Sequence, residues 1–312
     1  MKKSSEHAFI SKRDIALVTG MPGLLSISWL MPRRLWPGLC AKIAPFAVPK
    51  MFNSPEKMQT RIADILGATP GMPEAHDIVE QLVCEQLIMI LEVLRFYRPG
   101  HWRPDIELAG LEHYEHAVAE GKGVIFWFSA FTHIALVAKA ALAEDGISFS
   151  HLSKPDHGIS ITPFGVRFIN PIQIRAENKH ISERVVFNPA NPGLALLKLA
   201  RVVGKGDAVS ITAARSRHKN AARPVKVPFF DSQFAFAQGP TLLARKTGAA
   251  LLPVFVQRQD PVRYRVEIGA NLNVTAPGHE QPAAEDLIRN YAAELIEHVK
   301  KDPGQWRGWL QA

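Results

Sequence analysis

The pattern of hydrophobic and polar positions divides the chain into a helical first third and a longer part in which strands and helices alternate. Residues 74–95 keep apolar side chains at helical spacing, and Pro99 ends this predicted helix. After Gly121 the run VIFWF at 124–128 is continuously apolar, which is typical of a parallel strand buried on both faces. An Ala- and Leu-rich helix is predicted to follow at 131–143.

The alternation continues to the end of the chain. Strands are predicted at 147–152, 208–212, 251–256 and 262–268, and helices at 192–203, 238–246 and 283–301. The strand at 262–268 alternates apolar and polar residues as an edge strand does, and Pro303 stops the last helix. This order predicts an α/β fold with a mostly parallel sheet flanked by helices, preceded by a helical N-terminal region. We expect residues 1–118 to form the helical region, packed on an α/β core of residues 119–312.

The N-terminal region contains a stretch that could meet a membrane. Residues 15–32 carry no charge, which is about the minimum length for a spanning helix, although Gly20, Pro22 and Gly23 interrupt it. Aromatic and cationic residues surround the apolar ones, as in a segment that lies in the membrane interface: Trp29, Arg33, Arg34, Trp36 and Lys42. A spanning helix, an interfacial segment and a buried N-terminal helix all remain open from the sequence.

Charge and cysteine content narrow the class of protein. The formal net charge of +8 favours an anionic partner, whether nucleic acid, anionic lipid headgroups or an acidic carrier protein. Cys40 and Cys84 are far apart in apolar surroundings, which predicts neither a disulfide framework nor a metal site. Lys2 and Lys3 are followed by polar residues, not by an apolar signal region, so we expect a cytoplasmic protein. No Gly-rich phosphate loop follows a predicted strand and no metal-ligand spacing occurs, so we predict no cofactor.

Three segments carry a resemblance to a known family. The strongest comprises RPVKVPFFD at 223–231, GPTLLARKTGA at 239–249 and LPVFV at 252–256; the others are DLIRNY at 286–291 with DPGQW at 302–306, and GKGVI at 121–125. Pro240 suits the first turn of a helix and Gly248 suits its C-terminal cap, so the strongest segment also predicts a helix that starts near Pro240 and ends near Gly248. In order and spacing these segments resemble the bacterial lipid A late acyltransferases.

That resemblance implies a glycerolipid acyltransferase-like fold and transfer of a fatty acyl group from acyl carrier protein to a lipid or sugar hydroxyl. In the family, a histidine at the start of the helix after the strand at 124–128 takes the proton from the hydroxyl. An acid five positions later orients the imidazole. Aligned on the family's phenylalanine, which is Phe131 here, this chain has Ala130 and Ala135 at those two positions.

Other histidines could replace the missing base. His133 lies three positions beyond Ala130, close to the same helix face, and is either an unassisted base or a satisfied core residue. His151 and Asp156 form a literal His-x4-Asp, a match expected about once by chance in this composition. Lys154, Asp156 and His157 lie just after the predicted strand that contains His151, where the carboxyl ends of parallel strands usually build a site. His151, Asp156 and His157 therefore form an alternative catalytic cluster. We take His133, His151 and Asp156 as the candidate catalytic residues.

The candidate substrate-binding residues are implied by the same resemblance. They are Phe131, Lys154, Arg215, Arg217 and Arg223. Lys154 matches a basic residue that precedes proline in the family and would contact a phosphate or carboxylate. The basic run that contains the three arginines is either a solvated loop or a binding surface for a lipid phosphate or an acidic carrier protein. It lacks the interleaved aromatic residues of a nucleic-acid site.

Two hypotheses about function follow. The first is an acyltransferase of lipid A or related glycolipid biosynthesis with atypical catalytic residues, and the second is a non-catalytic relative that binds lipid or acyl carrier protein or supports a partner enzyme. Both predict an anionic glycolipid or phospholipid, an acyl thioester and a membrane surface as partners, at the cytoplasmic face of the bacterial inner membrane. Only the first predicts a histidine within hydrogen-bond reach of an acid at the carboxyl edge of the sheet.

Overall fold

The computed structural model describes residues 8–52, 54–100, 104–188, 190–212, 223–274 and 280–311. Four helices come first: α1 (Lys12–Leu30), α2 (Trp36–Met51), α3 (Pro55–Leu66) and α4 (Ala75–Arg95). Helix α1 begins with a capping box, in which Ser11 and Asp14 each bond the other's backbone N–H. Pro22 lies inside this helix without ending it, so the expected interruption at Gly20, Pro22 and Gly23 does not occur.

The aromatic side chains expected at headgroup depth serve the protein interior instead. Trp36 is fully buried, and the Trp29 indole donates a hydrogen bond to the Leu94 carbonyl (3.1 Å). Arg33 pairs with the carboxylate of Glu92 (2.5 Å). In the part of the chain that the structure describes, no helix has both the length and the apolar character needed to cross a bilayer.

A seven-stranded sheet forms the centre of the fold, in the order β1-β9-β8-β2-β5-β3-β4. Its strands are β1 (Asp105–Ala109), β2 (Val124–Phe128), β3 (Phe149–Ser153), β4 (Glu183–Val186), β5 (Ala208–Thr212), β8 (Ala250–Arg258) and β9 (Arg263–Ile268). All neighbours are parallel except β8 and β9. The predicted α/β class and mostly parallel sheet are therefore confirmed.

Two details of the sheet differ from the prediction. Strand β9 is not an edge strand, because β1 pairs with its other side. Strand β1 itself lies inside the stretch predicted to be wholly helical, because Asp105 and Glu107 leave it without the continuous apolar run that reveals β2. The sheet thus begins before residue 119.

Helices cover both faces of the sheet. They are α5 (Leu111–Ala119), α6 (Lys139–Glu144), α7 (Asn170–Asn178), α8 (Pro192–Val203), α9 (Gly239–Thr247) and α10 (Ala284–Lys301). Along β2, Ile125 and Trp127 enter one hydrophobic cluster while Phe126 and Phe128 enter the other. This double burial explains why β2 reads as a continuous apolar run. A two-stranded hairpin, β6 (Val225–Phe229) and β7 (Ser232–Phe236), packs over α10.

The chain between β2 and α6 is irregular. The predicted helix from residue 131 is replaced by a π-helical turn, Ile134–Ala138, before α6 begins at Lys139. Such wide turns occur most often where a side chain must be re-aimed near a functional site. The residues matched to the family's catalytic positions lie within and just before this turn.

Candidate active site at the carboxyl edge of the sheet

The parallel strands β2, β3, β5 and β8 end at one edge of the sheet, and the segments that follow β2 and β3 carry half of the predicted site residues: Phe131, His133, Lys154 and Asp156. In open α/β sheets, this edge is where ligands bind. The segment after β5 begins at residue 213, and residues 213–222 lie outside the described residues. The candidates Arg215 and Arg217 fall there.

The positions matched to the family's catalytic pair are held beside the C-terminal segment. The Arg307 backbone N–H donates to the Ala130 carbonyl (2.7 Å), and Phe131 bridges to Trp306. Ala130 and Ala135 are both partly exposed, so these positions are accessible but carry only methyl groups. The Phe131 ring is buried in the core, and its predicted contact with substrate stays a prediction.

A small apolar pocket opens next to Ala130, lined by Phe234, Phe236, Tyr291 and Trp306 among others. Burial raises the pKa of Tyr291, and the nearby carboxylate of Glu294 adds to that rise. Burial also raises the pKa of Glu294 to about 7, assisted by repulsion from Glu267. The ring stack of Tyr291 on Trp127 (3.9 Å between centroids) fixes the floor of the pocket.

His133 is a buried residue with a carboxylate partner that the sequence did not reveal. Its Nε2 lies 2.8 Å from Oε2 of Glu85, and the His133 side chain is about as inaccessible as the core around it. Arg258, at the end of β8, binds the same carboxylate through its guanidinium. Burial acts to raise the pKa of Glu85, but hydrogen bonds from His133 and Arg258 outweigh it and lower the value to about 2.

This arrangement matches the core-residue interpretation of His133. An imidazole sealed in the interior and shared with an ion pair has no open side for a substrate hydroxyl. The network extends through Gln305, which accepts from the Arg258 backbone N–H (2.7 Å) and donates to Asp302 (2.5 Å). Gln81 of α4 donates to the same aspartate (2.7 Å), so the network ties α4 to β8 and to the C-terminal segment.

His151 is also buried, with Nδ1 2.8 Å from the Ser210 hydroxyl on the neighbouring strand β5. Burial lowers the pKa of His151 well below its usual value, and the charge of Lys139 lowers it further. The imidazole is therefore neutral at physiological pH. Asp156, its predicted partner, is exposed, and its literal His-x4-Asp spacing brings no hydrogen bond between the two side chains among the described contacts.

The carboxylate at the centre of this region is Glu177, on α7. It is fully buried and accepts hydrogen bonds from four side chains: Lys139 (2.7 Å), His157 (2.9 Å), Gln173 (2.7 Å) and Arg184 (2.8 Å). We call these five residues the Glu177 cluster. Burial acts to raise the pKa of Glu177, but the surrounding charges of Lys139 and His157 outweigh it and hold the value well below normal. Burial lowers the pKa of Lys139 to about 8 against the attraction of Glu177.

His157 differs from the other two histidines because its side chain is 23% exposed while its Nε2 touches a buried carboxylate. A proton on Nε2 satisfies Glu177 and leaves Nδ1 as the basic nitrogen, which is how a carboxylate orients a catalytic imidazole. Exposed Lys154 and Asp156 lie within three residues of it. His157 is thus a partly exposed imidazole held by a buried carboxylate at the carboxyl edge of the sheet.

The loop that carries His157 is fixed from two sides. Asn170 accepts from the Ser160 backbone N–H (2.9 Å) and donates to the Ser160 carbonyl (2.7 Å). Gly158 has a φ of +136°, and a Cβ there would lie 2.4 Å from the Asn170 side chain, so this turn requires glycine. On the other side, Asp14 of α1 accepts from the hydroxyls of Ser160 (2.6 Å) and Thr162 (2.8 Å). Helix α1 thus anchors the candidate site.

Glu85, Glu177, Lys139 and Arg184 were not predicted from the sequence. Glu85 is 48 residues from His133 and Lys139 is 38 residues from Glu177, while Arg184 is only seven residues from Glu177 but on a separate element. The sequence does contain a signal, because Glu85 is the one Asp, Glu, Lys or Arg within residues 81–91 and Lys139 the one within residues 131–143, and such charges are buried only when paired. The remaining candidate, Arg223, is exposed on the approach to β6. Among the described residues, no group of three His, Cys, Asp or Glu side chains could hold a metal ion.

Comparison with known proteins bears on the second half of the chain. No curated protein matches the sequence. Residues 176–312 match the family model of bacterial lipid A biosynthesis acyltransferases. The matched region contains Glu177, Arg184 and the Val-Pro-Phe-Phe hairpin, while Ala130 and His157 lie before it. This match covers less than half of the chain, and together with the motifs and the α/β fold it supports the resemblance to the bacterial lipid A biosynthesis acyltransferases.

Proposed function

We propose that this protein transfers a fatty acyl group from an acyl carrier protein thioester to a hydroxyl of a lipid A-type glycolipid or a related lipid, using His157 as its base. The observation that carries the proposal is the contact between the partly exposed His157 imidazole and the buried Glu177 carboxylate (2.9 Å). The match of residues 176–312 to the family model supports the reaction class, and we assign to the Glu177 cluster the acid-base pair that Ala130 and Ala135 lack.

The proposed step follows the ordinary course of acyl transfer. The acceptor hydroxyl oxygen attacks the thioester carbonyl carbon while the imidazole takes the hydroxyl proton. The carbon–sulfur bond then breaks, and the departing thiolate takes that proton back from the imidazolium. Glu177 stabilises the imidazolium, as the carboxylate of a catalytic triad does. The charges of Lys139 and Arg184 beside the same carboxylate keep Glu177 ionised as the partner of the imidazolium.

The exposed cations near this edge fit the proposed substrates. Lys154 precedes the His157 turn, and Arg223 leads into the hairpin; both are exposed. We assign them to the phosphate of an anionic glycolipid or phospholipid, or to the acidic surface of acyl carrier protein. Arg215 and Arg217, which lie outside the described residues, stay candidates for the same role from the sequence alone. The reaction would take place at the cytoplasmic face of the bacterial inner membrane, where such acceptors lie.

The test uses the full chain with an acyl carrier protein thioester and candidate glycolipid acceptors, with release of the free carrier thiol as the measurement. We expect His157→Ala to lower the rate by about 10²–10⁴-fold. His116→Ala, which removes an exposed imidazole on α5, is the matched control and should leave the rate unchanged. His133→Ala and His151→Ala should act through stability, so their loss should be smaller at low temperature.

The rates of the three histidine variants show which of His133, His151 and His157 is the base. If His157→Ala turned over at the native rate while His133→Ala or His151→Ala did not, the assigned base would be wrong. Because Glu177→Gln disturbs a buried cluster, its effect is compared with the conservative His157→Gln, which keeps a hydrogen bond to Glu177 without a titratable nitrogen. Loss of activity in both, with native thermal stability in His157→Gln, supports the assignment.

The second candidate function is a non-catalytic relative that binds lipid or acyl carrier protein. The observation that favours it is that Ala130 and Ala135 occupy partly exposed catalytic positions of the family. It predicts binding of acyl carrier protein with no thiol release from any acceptor, and no effect of His157→Ala on that binding. Acyl transfer abolished by one histidine substitution would exclude it.

A further inference from the structure

A cleft lies between the segment that ends α4 and the outer side of α7. Its volume is about 560 Å³, within the range of about 300–1,000 Å³ that is typical of small-molecule sites. The residues that line it are Phe96, Tyr97, Arg98, Arg175, Asn178 and Lys179. Three of these residues are cations and none is an acid, so the lining favours an anionic ligand. We call this site the α4–α7 cleft.

The topology separates this cleft from the candidate active site. Helix α7 connects the parallel strands β3 and β4, so its C-terminal end at Asn178 lies toward the amino end of β4. The proposed base, His157, follows the carboxyl end of β3 instead. Around α7, Arg175 is about 200° from Glu177, so these two side chains leave opposite sides of the helix. The α4–α7 cleft is therefore a second site that shares no residue with the Glu177 cluster.

The three cations of the cleft lack an acidic partner. Within the part of the chain that the structure describes, no carboxylate pairs with Arg98, Arg175 or Lys179, although all three are exposed. Arg175 and Lys179 lie four residues apart on one face of α7, where like charges repel. The dipole of α7 favours cations at its C-terminal end, but it does not account for Arg98, which comes to the same cleft from the segment after α4.

Hydrogen bonds hold the walls of the cleft in place. The Tyr97 hydroxyl donates to the Ile172 carbonyl (2.5 Å), which ties the end of α4 to α7. Burial raises the pKa of Tyr97 and the charge of Arg175 opposes that rise, so the guanidinium lies near the phenol. Asn178 accepts from Nε of Arg184 (2.7 Å) through Oδ1, which leaves its Nδ2 group as a donor at the cleft.

Aromatic surface lies beside the cations. Nζ of Lys179 lies 4.9 Å from the centroid of the Phe96 ring, a cation–π contact that holds the ammonium over the ring. Tyr97 is 39% exposed, so part of its ring is open to a ligand. Inorganic phosphate has only five heavy atoms and would leave most of the cleft empty. A phosphate ester would place its charge on the cations and its organic part against Tyr97.

We propose that the α4–α7 cleft binds a phosphorylated organic anion, with its phosphate on Arg98, Arg175 and Lys179 and its organic part on the Tyr97 ring. A phosphate monoester carries nearly two negative charges at neutral pH, which suits three converging cations better than a single carboxylate does. Guanidinium groups bind phosphate oxygens in pairs, and the ammonium adds a point charge. The proposal goes beyond acyl transfer and holds whether or not His157 is a base.

The test is isothermal titration calorimetry of the full chain with four small molecules: inorganic phosphate, adenosine, AMP and dihexanoyl phosphatidic acid below its micellar concentration. We expect one of the two organic phosphates to bind about tenfold more tightly than inorganic phosphate, and adenosine not to bind. Binding of AMP indicates a soluble nucleotide-type ligand, whereas binding of the short-chain phosphatidate indicates a lipid phosphate. Added salt should weaken the binding, because the cations are exposed.

The double variant Arg175→Gln/Lys179→Gln removes two of the three cations and should weaken binding of the organic phosphate about tenfold or more. Its matched control is Arg245→Gln/Lys246→Gln, which removes the same two residue types from the C-terminal end of α9, a helix of the same length that does not line the cleft. The control should bind as the native chain does. If the α7 variant unfolds, Arg98→Gln, which lies outside any helix, carries the same test.

Four results would overturn the proposal. They are no binding of either organic phosphate, binding of adenosine or inorganic phosphate as tight as that of the organic phosphates, native binding by the variants of the cleft, and equal loss in the α9 control. Thermal unfolding of each variant near the native temperature shows that a loss of binding is local.

Discussion

The buried pair between Glu85 and Arg258 gives the sharpest test of the structure, because both of its consequences can be worked out in advance. Glu85→Leu removes the carboxylate that Arg258 and His133 share and leaves a guanidinium at the end of β8 with no counter-charge. Removing one partner of a buried ion pair costs about 3–5 kcal/mol. Since Arg258 retains some access to solvent, we expect about 3 kcal/mol.

The expected shift in melting temperature follows from chain length. An unfolding entropy of about 2.1 cal/mol/K per residue gives a value near 0.65 kcal/mol/K for this chain, so Tm should fall by about 5 °C. The assay is thermal unfolding followed by circular dichroism. The matched control is Glu107→Leu, which removes the same group from the exposed pair with Arg265 and should lower Tm by only about 1 °C.

The double variant Glu85→Leu/Arg258→Met completes the cycle. Because it removes both charges and fills the space with apolar side chains, it should recover about 2 kcal/mol or more of the loss. A single variant as mild as the Glu107 control would refute the reasoning. So would a double variant whose loss equals the sum of the two single losses, since the two groups would then not be coupled.

Three further predictions follow from single groups. Because the folded-state pKa of Glu294 is raised to about 7, native stability should fall as pH rises from about 4.5 to 7. Glu294→Gln should therefore raise the free energy of unfolding by about 1–2 kcal/mol at pH 8 but little at pH 5, which is measured as a higher Tm at pH 8. Hydrogen bonds lower the pKa of Asp14 to about 2, so its stabilisation is present above pH 4 and is lost as pH falls toward 2. Asp14→Asn should lower the free energy of unfolding at pH 7 by about 2 kcal/mol and flatten the acid side of the curve of Tm against pH. A Cβ at Gly123 would lie 2.1 Å from the Val203 carbonyl oxygen, so Gly123→Ala should lower the free energy of unfolding in urea by about 2 kcal/mol or more. Gly121→Ala is the control, because a Cβ there meets open space and only the positive φ opposes the substitution.

The spacing of apolar residues along the chain was sufficient to predict the main helices and strands of the fold. The apolar run of β2, the helical spacing of α4 and the proline after α10 each depend on residues adjacent in the chain, and all three elements occur within a few residues of their predicted bounds. Strands β1 and β4 were missed because their charged residues leave no continuous apolar run, unlike the similarly short β2. The interruption predicted at Pro22 does not occur, because packing of α1 on α4 keeps the helix continuous across the proline.

The candidate site depended much more on tertiary structure. The sequence determined that the positions matched to the family's catalytic pair hold Ala130 and Ala135. It also placed His133 and His157 after strands that build the site edge, and His151 within one of them. It could not say which histidine has a carboxylate partner, because Glu85 is 48 residues from His133 and Glu177 is 20 residues from His157. Burial then separated the three: packing seals His133 and His151 in the core and leaves His157 open to solvent. Partners and exposure are properties of chain segments brought together by folding, and no local pattern contains them.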